Sequence, residues 1–387
     1  MGFPESAQSK TVKELKEIVS AAESARAKGE TFALATLVKV KGSSYRRVGA
    51  KMLLTQSGRK VGAISGGCLE GDVQKKARFA MQTGNASLVI YDLLGEDESP
   101  FNFGLGCNGA LALLIEPSHL PVLHERLSYY ADFLKVPQPL AIATVYAAEG
   151  KLKNQIGKSL WLSEAQQAKS NICDEVLLGQ LKADAHQALS QRRSQVRQYK
   201  TQNATAEALI EVLLPPIHLV IFGAGYDAVP LVEFAKALGW LVTVVARRPS
   251  HLWHEQFAAA DRRLVATAKE VAEKLCVNER TAAVVMTHNF EHDMQILAQL
   301  LPLRLPYLGV LGPKARTEKL LNELKKQLAL SDDLLKTLYA PVGLDIGAEF
   351  PEEIALSIVA EIKAVMQQRQ GSFLRKRRAP IHDDAAW

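Results

Sequence analysis

A strand, a glycine turn and a helix follow one another without a break in the second half of the chain. The apolar run His218–Phe222 leads into Gly223-Ala-Gly-Tyr-Asp-Ala228, and a helical pattern then continues to Leu238. Glycines at the first and third positions of this turn, with alanine at the sixth, are the fingerprint of a βαβ unit that binds a dinucleotide. The sequence therefore predicts a Rossmann-like, doubly wound parallel sheet, with Gly223 and Gly225 in its nucleotide-binding turn.

Polar residues follow the later strands of this predicted sheet. Arg247 and Arg248 come directly after the second strand, His288 follows a third, and Lys314 follows a fourth. Because the carboxyl ends of parallel strands meet at one edge of a sheet, we expect these side chains to surround one crevice. A structural role is an equal alternative for His288, and Lys314 could instead be a solvated residue in the first turn of a helix.

The two arginines bear on which nucleotide such a crevice would bind. In NAD-binding sheets an acidic residue at the end of the second strand holds the ribose hydroxyls. Arg247 and Arg248 stand at that place, and guanidinium groups bind phosphate instead. Any bound dinucleotide is therefore predicted to carry an extra phosphate, as in NADP or a cytidylated cofactor.

A second candidate site lies in the first hundred residues. The stretch Val61-Gly-Ala-Ile-Ser-Gly-Gly-Cys-Leu-Glu-Gly-Asp72 runs from an apolar strand through Gly66 and Gly67 to Cys68 and a helical pattern. Bare glycine backbone lets a ligand approach, and a thiol at the entrance of a helix is favoured as thiolate. The alternative is a small buried cysteine behind a tight turn.

Two further features would belong to the same site. Another glycine-framed cysteine occurs in Phe103-Gly-Leu-Gly-Cys-Asn-Gly109, which contains Gly106 and Cys107. Arg46 and Arg47 lie at the tip of a polar loop between two predicted strands. Two glycine-cysteine loops within one domain predict a shared pocket.

The segment from Leu120 to Pro216 repeats the plan of the first segment when the sequence is shifted by 108 positions. The identical pairs are Ala33/Ala141, Ala35/Ala143, Thr36/Thr144, Gly42/Gly150, Gly49/Gly157, Leu54/Leu162, Leu69/Leu177, Gly71/Gly179 and Tyr91/Tyr199. The candidate site residues are not repeated: Gly66, Gly67 and Cys68 become Asp174, Glu175 and Val176, and Arg46 and Arg47 become Asn154 and Gln155. This pattern favours a functional site in the first copy and a degenerate, structural second copy.

These patterns predict an α/β fold in which an α+β domain of two related copies precedes the C-terminal Rossmann-like sheet. The predicted boundaries are 1–118 for the first copy, 119–216 for the second, 217–370 for the Rossmann-like domain and 371–387 for a flexible tail.

No apolar run is long enough for a membrane span and no signal peptide is evident, so a cytoplasmic location is expected. The four cysteines are scattered, and Cys173 and Cys276 are expected in the core. The net charge of +6 includes the run Arg375–Arg378, which lacks interleaved aromatic residues and is interpreted as a solvated tail, without nucleic-acid binding.

Several motifs together resemble one family. They are Gly42-Ser-Ser with Arg46, Gly49-Ala-Lys-Met52, Ile64-Ser-Gly-Gly-Cys-Leu-Glu-Gly71, Gly104-Leu-Gly-Cys107, Gly223-Ala-Gly225 and Gly343-Leu-Asp-Ile-Gly-Ala348 before Pro351-Glu-Glu-Ile-Ala355. With them the chain resembles the XdhC/CoxF family, accessory proteins that mature molybdenum hydroxylases such as xanthine dehydrogenase and carbon monoxide dehydrogenase.

The resemblance implies a chaperone, expected as a homodimer, that binds molybdenum cofactor as molybdopterin or its dinucleotide form. It would hold the cofactor while a cysteine desulfurase or sulfurtransferase installs a sulfido ligand, and then deliver it to the hydroxylase. Cys68 and Cys107 would be the reactive thiols, with Cys68 as the metal donor. The predicted cofactor-binding residues are Arg46, Arg47, Gly66, Gly67, Glu70, Gly106, Gly223, Gly225, Arg247, Arg248, His288, Lys314 and Asp345.

Two other functions remain open from the sequence. The first is an NAD(P)-dependent oxidoreductase, with the nucleotide on Gly223 and Gly225 and His288 as proton donor. The second is a partner-binding scaffold with a vestigial nucleotide fold. The chaperone is favoured because an oxidoreductase leaves the glycine and cysteine loops of the first segment without a role.

Overall fold

A computed structural model describes residues 8–42, 46–67, 69–92, 109–201, 203–248, 255–274, 277–327 and 331–378. The chain divides into two compact units, one formed by Thr11–Pro215 and the other beginning at Pro216. Among the described residues, no helix combines the length and the apolar composition needed to cross a membrane.

The first unit opens with a helix and a five-stranded antiparallel sheet. Its elements are α1 (Gln8–Ala27), β1 (Phe32–Gly42), β2 (Lys51–Thr55), β3 (Lys60–Gly62), α2 (Glu70–Thr83), β4 (Ser87–Asp92) and β5 (Gly109–Pro117). The strand order is β3-β2-β1-β5-β4, and every neighbouring pair is antiparallel. One face packs against α2 through Val73, Ala77 and Ala80, which recur at helical spacing and are buried.

A second helix and sheet complete this unit. Their elements are α3 (Pro121–Lys135), β6 (Leu140–Gly150), β7 (Ser159–Ser163), β8 (Ala168–Ser170), α4 (Glu175–Ser190), β9 (Gln195–Thr201) and β10 (Ala204–Leu213). The strand order, β8-β7-β6-β10-β9, is that of the first sheet, element for element. Helices α1 and α3 pack in one shared core with Phe32 and Leu34 of the first sheet and Ile142 of the second.

The two sheets also bury equivalent residues. Positions 108 apart occupy the core under α2 and the core under α4: Ala33/Ala141, Ala35/Ala143, Leu37/Val145, Met52/Leu160, Leu54/Leu162, Ile64/Ile172, Leu69/Leu177, Val73/Leu181, Ala77/Ala185, Ala80/Ala188 and Tyr91/Tyr199. The register shifts at Val38 in β1 and at Tyr146 in β6, again 108 positions apart. Equivalent residues therefore build equivalent sheets, down to the same bulge.

The second unit is a parallel α/β layer structure. Its elements are β11 (His218–Phe222), α5 (Ala228–Ala237), β12 (Leu241–Ala246), β13 (Arg262–Val265), α6 (Ala268–Lys274), β14 (Thr281–Val285), α7 (Phe290–Leu300), β15 (Tyr307–Val310), α8 (Lys314–Gln327), α9 (Asp332–Leu335), β16 (Leu338–Tyr339) and α10 (Pro351–Val365). The strand order is β13-β12-β11-β14-β15-β16, all parallel, and each face has its own apolar core. This is the order 3-2-1-4-5-6 of a Rossmann sheet, and the predicted fold class is confirmed.

Other sequence predictions have different outcomes. Cys173, expected in the core, is exposed, because it lies in the connection that precedes α4 and not on a buried face. Cys276 lies outside the described residues. The predicted boundaries at 118/119, 216/217 and 370/371 stay predictions, and of the predicted tail, residues 379–387 lie outside the described residues.

Candidate functional site

A strand-to-helix turn joins β3 to α2, and Ser65 organises it. The Ser65 hydroxyl accepts hydrogen bonds from the amides of Gly67 (3.3 Å) and Leu69 (3.2 Å) and donates one to the carboxylate of Glu70. The Ser65 amide donates a further bond to Glu70 over 2.9 Å. Ser65 is buried, so these bonds are largely shielded from water. One serine and one glutamate therefore fix the turn on both sides of position 68.

Gly66 and Gly67 are the exposed part of this turn. Gly67 has a φ of +119°, and no atom of the described residues lies within 4 Å of the place where its Cβ would stand. Such open, bare backbone allows a ligand to approach closely. Cys68, the predicted thiol and metal donor, lies outside the described residues, so its role stays a prediction.

Glu70, a predicted cofactor ligand, directs its carboxylate to Ser65. Partial burial acts to raise the pKa of Glu70, but the hydrogen bonds from the Ser65 hydroxyl and amide outweigh it and lower the pKa below its ordinary value. Glu70 is therefore ionised at neutral pH, with its charge directed into the turn. This arrangement favours a structural role for Glu70, which is to hold the turn in place.

Arg46 connects its loop to the same turn. Its guanidinium pairs with the carboxylate of Glu14 on α1, with an N···O distance of 2.6 Å, and its Nε donates to the carbonyl oxygen of Ala63. Because Ala63 directly follows β3, this bond brings Arg46 next to the glycine turn. Arg47 is half-buried in the same loop. No sequence pattern singled out Glu14, whose spacing along α1 is that of an ordinary polar face.

The second predicted loop, with Gly106 and Cys107, lies outside the described residues, which resume at 109. The shared pocket of the two glycine-cysteine loops therefore stays a prediction. Across the described ranges, no three His, Cys, Asp or Glu side chains are grouped so as to hold a metal ion.

The equivalent turn of the second sheet is closed by its own side chains. Asp174 caps α4, accepting a hydrogen bond from the amide of Leu177 over 2.9 Å. Gln155 is buried and accepts a hydrogen bond from the amide of Cys173 over 3.0 Å. The Cys173 thiol lies 3.1 Å from the Nζ of Lys158. Side chains thus satisfy this turn, whereas Gly66 and Gly67 leave the first one open.

The carboxyl edge of the parallel sheet brings three of the predicted crevice residues together. Gly223 has a φ of +133°, and a Cβ there would lie 2.4 Å from the carbonyl oxygen of Met286, so only glycine fits. A Cβ on Gly225 would lie 4.0 Å from the ring of His288. The Nε2 atom of His288 is 2.7 Å from the carboxylate of Asp227, which the sequence alone did not single out.

The other predicted crevice residues lie around this centre. Arg247 and Arg248 are exposed at the end of β12. Burial and the positive charge of Arg247 lower the pKa of His292, in the first turn of α7, below its ordinary value. Lys314 is the exposed first residue of α8, and Asp345 is exposed in the connection from β16 to α10. No described contact joins Lys314 or Asp345 to the glycine turn.

A buried carboxylate that the sequence did not reveal supports the edge. Asp293 is fully buried and accepts hydrogen bonds from the Thr287 hydroxyl and from Arg316, the latter over 2.6 Å. Arg316 also donates to the carbonyl oxygen of Leu311. The ends of β14 and β15 are therefore held together by one charged network.

Comparisons with known proteins agree with this arrangement. The model of the XdhC and CoxI family matches residues 25–92, which contain Arg46 and the glycine turn, and the model of the XdhC Rossmann domain matches residues 219–362. The second sheet lies in neither matched range. The matched ranges therefore contain the candidate site residues other than Gly106 and Cys107, which lie between them.

Related proteins match over nearly the whole chain. A probable subunit of the xanthine dehydrogenase of Bacillus subtilis (strain 168) is 33% identical over 333 residues, 86% of this chain and 92% of that protein. The molybdenum cofactor insertion chaperone PaoD of Escherichia coli (strain K12) is 26% identical over 350 residues, 89% of this chain and 87% of that protein. A crystal structure of a xanthine dehydrogenase from Bacillus halodurans is 30% identical, with a TM-score of 0.72 over 92% of this chain and 98% of its own. The chain belongs to the XdhC family.

Proposed function

We propose that this protein is a chaperone that binds molybdenum cofactor and inserts it into a molybdenum hydroxylase. The observation that carries the proposal is the contrast between two turns at equivalent places in two equivalent sheets. The first turn leaves Gly66 and Gly67 exposed next to Cys68, whereas the second has Asp174 and Glu175 at the matching positions. A structural turn needs no exposed glycine pair, so the first turn is proposed as the cofactor site.

The names of the relatives support the same cargo. One is a molybdenum cofactor insertion chaperone, and another is a probable part of a xanthine dehydrogenase, which makes an enzyme of that class the proposed client. The protein itself would carry the cofactor without turning over a substrate.

The residues of the first turn suit the chemistry of this cargo. Molybdenum cofactor is an anionic pterin phosphate, or a dinucleotide, that holds its metal through sulfur. Backbone amides and guanidinium groups bind anionic oxygens, and a thiolate at Cys68 would be a soft donor to molybdenum. Arg46 and Arg47 remain proposed cofactor contacts, as do Gly106 and Cys107 of the second loop. Arg46 would have to share its guanidinium between Glu14 and the cargo.

The proposal also includes a sulfuration step and a homodimeric state. Cys68 would meet the metal centre while a cysteine desulfurase or sulfurtransferase supplies the sulfido ligand, and the chaperone would act as a homodimer. Light scattering of the purified chain tests the dimer. Measuring client activation with and without the sulfurtransferase tests the sulfuration step.

The Rossmann crevice is proposed to accept a dinucleotide with an extra phosphate. Arg247 and Arg248 are exposed where a carboxylate would otherwise bind ribose hydroxyls. Calorimetric titration with NADP and NAD tests this preference, which tighter binding of NAD would contradict.

The function itself is tested by the content of the purified protein. We expect molybdenum and pterin to copurify with the chain when it is isolated without oxygen from a molybdenum-replete host, and the loaded protein to activate an apo-hydroxylase of the xanthine dehydrogenase type. Protein that contains neither molybdenum nor pterin, and that fails to activate the client, would contradict the proposal. Reduction of NADP with a small substrate would instead favour an oxidoreductase.

A further inference from the structure

The carboxylate of Asp227 lies over the second glycine of the fingerprint. A Cβ on Gly225 would stand 2.7 Å from Oδ1 of Asp227, so this carboxylate occupies the space above the bare backbone. In dinucleotide-binding sheets that glycine lets the pyrophosphate approach the backbone at the start of the helix. A negative group of the chain itself is therefore found where the negative diphosphate of a ligand would lie.

The carboxylate is not engaged in capping the helix. Asp227 is the residue before α5, yet its side chain accepts no capping hydrogen bond from that helix. Its Oδ2 atom instead lies 2.7 Å from Nε2 of His288, which follows β14 on the neighbouring strand. The pair thus spans the place where the strand order reverses between β11 and β14, which is where ligands bind in open sheets of this kind.

The backbone of His288 is held in an unusual conformation. Its φ is +60°, in the left-handed region that only a few per cent of residues other than glycine adopt, with asparagine, aspartate and histidine the most frequent among them. The neighbouring residues fix it there: Thr287 donates to the buried Asp293, and Asn289 caps α7 by accepting from the amide of His292. The ring of His288 is therefore presented to Asp227 by a rigid support.

We propose that Asp227 and His288 form a latch over the diphosphate position of the crevice. A nucleotide that contains a diphosphate must displace the Asp227 carboxylate, and His288, once released, becomes a hydrogen-bond donor to the phosphates. Asp227 is then the residue that limits the affinity of the crevice for any dinucleotide, whichever sugar or base it carries. This inference rests on the proposed binding of a dinucleotide in the crevice, and it does not depend on the cargo of the first unit.

The test compares Asp227→Asn with wild type by calorimetric titration. Asparagine keeps the size of the side chain but removes the charge that opposes a diphosphate. Both NADP and NAD should bind the variant about tenfold more tightly or better, because they share the diphosphate. Adenosine 2′-monophosphate, which has a phosphate but no diphosphate, should bind both proteins equally.

Two further variants separate the latch from other effects. Glu352→Gln removes one negative charge from the exposed first turn of α10 and should leave the affinities unchanged. Adding His288→Gly to Asp227→Asn keeps the positive φ accessible but removes the proposed phosphate donor, and should reverse part of the gain. The latch is wrong if Asp227→Asn binds NADP no better than wild type, if it binds no dinucleotide, or if Glu352→Gln tightens binding to the same extent.

Discussion

The two sheets of the first unit have the same strand order, bury equivalent positions and share the same bulge, but the described residues differ at the turn that precedes α2 in one and α4 in the other. In the first sheet Ser65 and Glu70 hold an open pair of glycines, whereas in the second Asp174 and Gln155 fill the turn with side chains. The second sheet shows that such a module folds without an exposed pair of glycines at this turn. What the second sheet lacks is what the first is proposed to use.

The sheets also differ in how each satisfies a buried carboxylate. In the strand register, Glu116 of β5 lies opposite Leu34 of β1, and Glu211 of β10 lies opposite Ile142 of β6. The two acids therefore occupy equivalent positions in the two sheets. Glu116 forms an ion pair with Arg126 of α3. Glu211 instead binds Lys51 of β2 and accepts a hydrogen bond from the Tyr130 hydroxyl over 3.1 Å.

The largest effect on the free energy of unfolding is expected when Glu116 loses its ion-pair partner, Arg126. Arg126→Met leaves the fully buried Glu116 without a described hydrogen-bond donor, which should lower the free energy of unfolding by about 3–5 kcal/mol. Lys51→Met should cost less, about 2 kcal/mol, because Glu211 keeps the Tyr130 hydroxyl. Urea unfolding of both variants measures the difference.

The pH dependence gives a second check on Arg126→Met. Burial raises the pKa of Glu116 above its ordinary value even though the charge of Arg126 opposes this shift, so removing Arg126 should favour the protonated acid further. A raised pKa contributes stability at low pH that is lost as the pH rises. The deficit of Arg126→Met should therefore shrink toward acidic pH, and an equal deficit at all pH values would contradict the assignment.

A smaller loss of stability, without loss of function, is expected in the second turn. Gln155→Ala removes the acceptor of the Cys173 amide and should cost about 1–3 kcal/mol, while the exposed Glu175→Ala should change stability little. Neither variant should lower the molybdenum content of the purified protein. A folded Gln155 or Glu175 variant that lost its cofactor as completely as a Cys68 variant would show that the second turn is not merely structural.

A pair of variants with small expected changes in stability distinguishes the functions of the two turns most clearly. Ser65→Ala and Asp174→Ala each remove the oxygen that accepts amide hydrogen bonds at a helix start, and each should cost about 1 kcal/mol. Only Ser65→Ala should lower the cofactor content, because only its turn is proposed to bind. Melting curves and pterin fluorescence compare the pair, and equal cofactor content in both variants would remove the distinction between the turns.

Local patterns were sufficient to predict much of the fold. The strand His218–Phe222 lies where the apolar run predicts it, and the helix after the fingerprint ends at Ala237, one residue before its predicted end. The repeat of 108 positions predicted the equivalent cores. Two sheets of the same layout need apolar residues at the same buried positions, so the sequence match carries over to the cores.

Pairings between distant residues could not be predicted in the same way. Glu14 with Arg46, Glu116 with Arg126 and Asp227 with His288 each join separate elements, so no local spacing identifies them. Cys173 was wrongly expected in the core, since its sequence neighbourhood does not reveal that it precedes a helix at the surface.

The most direct test of the proposed site compares two serine substitutions. Cys68→Ser removes the soft donor from the open turn, and Cys173→Ser is its matched control, an exposed thiol at the corresponding turn of the second sheet. We predict that both variants melt within about 2 °C of wild type, because serine keeps nearly the size of cysteine and remains polar. Only Cys68→Ser should lose molybdenum and the ability to activate a hydroxylase client. Full activation by Cys68→Ser would contradict the account, and unfolding of that variant would show instead that Cys68 is a packing residue.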